Sequence, residues 1–106
     1  MSRELRVAPQ AEIDIDQITA YYRAIDPRLS LRFFDACRKA IAGIEAMPGA
    51  ASRLLLAGHE ELDFRYCWPQ GFEKYLIFYQ PYLERIEILR VLHGSQDLEE
   101  LFAERN

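Results

Sequence analysis

Four cations and one imidazole in the second half of the chain, Arg65, Lys74, Arg85, Arg90 and His93, are the side chains whose types could support a reaction. Cutting RNA without a metal needs a group to activate the 2′-hydroxyl, a donor for the leaving oxygen and cations to stabilise the charged phosphorane. Lys and Arg supply the cations, and histidine is the side-chain type suited to exchange a proton under physiological conditions, which makes His93 the acid–base candidate. The plainer reading of His93 is a strand-end imidazole hydrogen-bonded to a turn. His59 sits in a loop beside Glu60 and Glu61, too far along the chain from His93 to make a metal spacing. There is no phosphate-cradling glycine loop and no nucleophile elbow, so no cofactor or metal is expected.

The surroundings of these residues weaken the catalytic reading. The 106-residue chain has a formal charge of −4, whereas nucleic-acid binders draw most of their affinity from an excess of cations. From His93 to Phe102 there is neither Arg nor Tyr, and Asp97, Glu99 and Glu100 stand where a phosphate-binding segment would want positive charge. Glu12, Asp14 and Asp16 read as a solvated first helical turn matched to the helix dipole rather than a metal site. Cys37 and Cys67 read as small buried thiols of a reducing compartment. No signal core and no membrane-length apolar run is visible, which implies a cytoplasmic protein.

The elements that must position these residues follow from periodicity. Leu5 and Val7 alternate in a short first strand over 3–8, which Pro9 ends. Ala11, Ile15, Ile18, Tyr22 and Ile25 then recur at helical steps. Asp26-Pro27 marks a restart, with Asp26 as N-cap and Pro27 at the first helical position. The second helix runs to about Met47, burying Leu29, Phe33, Cys37, Ile41 and Ile44, and Pro48-Gly49 stops it. Residues 50–61 read as a loop with one turn around 53–56. Three strands follow, over 62–68, 74–80 and 85–92, separated by short turns and so forming an antiparallel meander. Leu62, Phe64, Tyr66 and Trp68 share one face of the first of these, and Asp63, Arg65 and Cys67 the other. Leu98, Leu101 and Phe102 suit a short C-terminal helix. The order predicts one α+β domain over 1–106, a helical hairpin packed on a small, mostly antiparallel sheet whose opposite face can be wet.

That order, with Phe72-Glu73-Lys74-Tyr75-Leu76-Ile77-Phe78-Tyr79 and Ile86-Glu87-Ile88-Leu89-Arg90-Val91-Leu92-His93-Gly94, resembles the RelE/ParE toxin superfamily. The ending Ile88 to Gly94, followed by Ser95, Gln96 and Asp97, is similar to the ParE branch in particular. The resemblance implies the toxic half of a two-gene module, held inactive by an antitoxin (ParD-like for this branch) whose flexible segment folds onto it. ParE-like members act on DNA gyrase without known chemistry of their own, and such complexes touch DNA only through the antitoxin. RelE-like members cleave mRNA on the ribosome; under that alternative Arg65, Lys74, Arg90 and His93 would be the catalytic group.

A toxin that works by binding needs an exposed aromatic surface with charged anchors. Trp68, Phe72, Tyr75, Tyr79 and Tyr82, anchored by Arg65 and Arg90, are the candidates, although strand aromatics are as readily core. An open sheet edge would accept a further strand from the partner. The assembly expected is a hetero-oligomer with no membrane component.

Overall fold

The computed structural model describes residues 3–95, and the expected C-terminal helix lies outside them. The elements are β1 (Glu4–Val7), α1 (Pro9–Ile25), α2 (Pro27–Ala46), β2 (Ser52–Leu54), β3 (Phe64–Cys67), β4 (Tyr75–Pro81) and β5 (Arg85–His93). Together they form an α+β fold in which the helical pair covers a five-stranded sheet of order β1-β5-β4-β3-β2. β1 pairs with β5 in parallel, and the other pairs are antiparallel.

Two prolines set where the helices begin. Pro9 does more than end β1, because it occupies the start of α1, where a missing N–H costs nothing. Pro27 does the same for α2. The single residue between the helices serves both. The Asp26 N–H donates to the Tyr22 carbonyl at 2.8 Å, closing α1. Its carboxylate accepts from the Arg28 N–H at 2.9 Å, opening α2. So short a link forces the helices back on each other.

Ile25 departs from its expected place: it ends 59% exposed at the last position of α1, beyond the packed part of the hairpin. The segment read as a loop with a turn contains β2, which pairs with β3 through Ser52↔Tyr66, Arg53↔Arg65 and Leu54↔Phe64. Three residues are too few for alternation to declare a strand, and the pairing comes entirely from β3.

The sheet has two apolar faces. Towards the helices, Ala11 and Ile44 meet Ile77, Tyr79, Ile86, Ile88 and Val91. Side chains alternate across a strand, so Leu76 and Phe78 point the other way, where Phe78, Leu92 and Leu56 form a second buried cluster with Phe64, Tyr66 and Leu54. The face that antiparallel geometry would have allowed to be wet is instead apolar. A β-bulge interrupts β4–β5 pairing, since Phe78 pairs with Arg90 but Tyr79 with Ile88. The extra residue, Leu89, shifts the alternation and brings Val91 onto the helix side.

Candidate functional site

The basic residues do not converge. Arg90 is taken by α1: its Nε donates to Asp14 Oδ2 at 2.8 Å and its Nη2 to Asp14 Oδ1 at 3.0 Å. The same carboxylate accepts the Val91 N–H at 3.0 Å. β1 stops at Val7 because the chain turns into α1, so β5 has no strand beside it beyond Ile88, and the Asp14 side chain completes the ladder there. The hydrogen bonds to Asp14 hold the Arg90 guanidinium above its ordinary range. Asp14 is therefore buried, 6% exposed, and not part of a solvated acidic turn; Glu12 and Asp16 alone are exposed.

Arg65 is likewise engaged. Its Nη1 donates to the carbonyls of Gly49 at 3.0 Å and Ala51 at 2.9 Å, clamping the chain that leaves α2. Its Nε lies 3.0 Å from Asp63 Oδ1, within ion-pair range but out of line for a hydrogen bond. Arg65 pairs with Tyr79 across the β3–β4 ladder, one position out of step with the Phe78–Arg90 pair. The Arg85 guanidinium stacks 4.0 Å from the centroid of the Tyr82 ring. His93 Nδ1 lies 2.7 Å from Ser95 Oγ, and its ring meets Tyr75 edge-on at 5.4 Å. Lys74 is exposed at the same end of the sheet, its carbonyl accepting from the Gly94 N–H. Arg65 and Arg90 are thus committed to holding the fold, away from Lys74 and His93.

The aromatic candidates divide. Tyr79 is fully enclosed, its hydroxyl donating to the Pro48 carbonyl at 2.7 Å, so it belongs to the core and not to a contact surface. Phe72 and Tyr75 are half-buried against Tyr22 and Phe33, with ring centroids 5.2–6.2 Å apart. Burial and the neighbouring Tyr75 hydroxyl push the Tyr22 phenol up to about 12. Tyr82 donates to Gln80 Oε1. Trp68 alone of the group stands well out, 49% exposed. Cys37 and Cys67 are held as thiols by burial, pushed up to about 12 and about 11, which leaves little reactive thiolate at neutral pH.

Grooves among the described residues flank α2. One groove of about 590 Å³ lies between β1, α1 and α2, walled by Leu5, Val7, Ile15, Phe34, Cys37 and Ile41, with Glu12, Asp16 and Arg38 adding charge. Phe34 is 54% exposed there. Beside it, β1 pairs only with β5 among the described residues. The N–H groups of Glu4 and Ala8 donate to β5 and its preceding turn, so alternation leaves the backbone of Leu5 and Val7 facing outward. Sequence reasoning passed over Phe34, although it falls off the buried stripe of α2 and so had to face out.

A family model described as ParE toxin of type II toxin-antitoxin system, parDE, matches residues 5–98. Among solved structures, the chromosomal ParDE TA system from P. aeruginosa contains a chain similar to this one at a TM-score of 0.71. The likeness covers 86% of this chain and 95% of that one at 17% identity, a similarity of fold. No curated protein sequence matches.

Proposed function

The chain belongs to the ParE toxin family of type II toxin–antitoxin systems, and from that premise we propose that a ParD-like antitoxin neutralises it and that it inhibits DNA gyrase by protein–protein binding. The observation that carries the reading is the open apolar groove beside an unpaired strand edge. A segment laid along β1 would gain main-chain hydrogen bonds from Leu5 and Val7, and its apolar side chains would fill the groove against Phe34 and Ile41. This is β-augmentation combined with a helix-in-groove contact, and it asks for no reactive centre. DNA is reached only through the antitoxin, and the assembly is a hetero-oligomer.

The test is induction of the toxin with two readouts, plasmid supercoiling by gyrase and transcript integrity. Loss of supercoiling, reversed by co-expressed antitoxin, is the expected result. Ribosome-dependent cuts within codons, with supercoiling unchanged, would sink the proposal in favour of an mRNA endonuclease.

A further inference from the structure

The flank of α2 away from β1 carries a second groove. At a helical step of about 100° per residue, Arg32, Ala36, Lys39 and Gly43 lie on the opposite side of the buried stripe from Phe34, Arg38 and Ile41. A cavity of about 540 Å³ runs there between Arg32, Lys39, Trp68 and Phe72. A smaller one of about 270 Å³ continues it past Trp68 to Met47, with Ala40 common to both. The combined trough follows α2 for about 22 Å at 1.5 Å per residue. Trp68 and Met47 are 49% and 66% exposed along it, an apolar wall left open to water.

Its charge is opposite in sign to that of the whole molecule. Arg32 and Lys39 line it against a single carboxylate, Asp35, in a chain whose formal charge is −4. Asp35 is shared by Arg38 at 2.7 Å and Lys39 at 3.1 Å, and Arg32 makes no ion pair among the described residues. Local cations beside an exposed tryptophan suit an acidic chain with an apolar side chain to bury.

We propose that this second groove takes an acidic peptide segment with an apolar anchor, contributed by the protein on which the toxin acts, while the β1 groove holds the antitoxin. The inference rests on the toxin reading above and adds where the target docks. It also means that the two partners engage opposite flanks of one helix.

Trp68 is the only tryptophan of the chain, so its fluorescence reports occupancy of this groove directly. The purified toxin is titrated with a short synthetic peptide of alternating Glu and Leu, with its Lys-for-Glu counterpart, with a single-stranded oligonucleotide and with the purified antitoxin. A saturable change with the acidic peptide alone is expected. The double variant Arg32→Glu/Lys39→Glu should bind that peptide about tenfold more weakly or worse and accept the Lys peptide, while retaining antitoxin binding as proof of folding. No response to the acidic peptide, an equal response to the oligonucleotide, or the same change on adding antitoxin overturns the assignment. So does undiminished gyrase inhibition by the double variant. A wild-type toxin that binds the peptide yet leaves gyrase active would instead remove the function proposed above and leave the acidic-segment site standing.

Discussion

Replacing Asp14 by Ala tests whether the fold depends on one buried carboxylate. Asp14 joins α1 to β5 by two bonds from Arg90 and one from the Val91 N–H, all between 2.8 and 3.0 Å. Removing it strands a guanidinium whose side chain is only 17% exposed and an N–H with no strand to receive it. Breaking a buried pair from one side costs about 3–5 kcal/mol. Arg90 keeps some access to water, which places the loss near the lower end, about 3 kcal/mol. Against a total stability of about 5–15 kcal/mol that is a large fraction, and it lowers Tm by roughly 12 °C or more at about 4–8 °C per kcal/mol. Urea denaturation of the purified toxin, for Asp14→Ala, Arg90→Ala and the double variant, separates the pair from its parts. The double variant should lose less than the sum of the two, because neither charge is then left alone. Single variants each within about 0.5 kcal/mol of wild type, or strictly additive losses, would refute the reasoning.

Other outcomes follow from the same contacts. Phe34→Glu places a charge in the β1 groove and should weaken antitoxin binding by roughly thirtyfold or more, the effect of losing a 2 kcal/mol hot spot; growth arrest despite co-expressed antitoxin, with an unchanged urea midpoint, is the readout. Tyr79→Phe deletes the bond to the Pro48 carbonyl and should cost about 1 kcal/mol of stability with antitoxin affinity unaltered, as isothermal titration would report. Cys37, buried and pushed up by that burial, should react with a thiol reagent only as fast as the protein unfolds; rapid labelling of it in the native protein would contradict its placement. The hydrogen bonds from Arg28 hold the Asp26 carboxyl below its ordinary value of 3.8. A folded-state value below the unfolded one means that its contribution is present above pH 3.8 and fades as the pH falls through the lowered value. Asp26→Asn, which keeps a capping oxygen but removes the ionisation, should accordingly flatten the acid limb of the stability profile, and an unchanged limb would show that the Asp26 charge does not contribute.

Periodicity and punctuation determined the elements. Steps of three and four residues declared both helices, Asp26-Pro27 declared the turn between them, and alternation declared β3, β4 and β5, because those patterns are local consequences of backbone geometry. The residues that resemble the RelE/ParE superfamily lie in and around β4 and β5, and those that resemble its ParE branch at the end of β5 and just beyond, so the family was also legible there. What each polar or aromatic side chain does was decided only in three dimensions. Asp14 looked solvated because its neighbours in sequence are acidic, yet it is buried by a strand far along the chain whose Val91 N–H has no ladder partner, since β1 ends beside Ile88. Arg65 and Arg90 looked available as cations on alternating strands, and each proved to be satisfying backbone or carboxylate groups brought close by chain closure. Tyr79 and Tyr82 are equally aromatic in sequence, but Tyr79 lies in β4 on the face under the helices while Tyr82 falls just past the strand, in the turn before β5. The grooves on either side of α2 have no counterpart in any local pattern, since each is the space left between elements, and that space exists only once the helices have docked on the sheet.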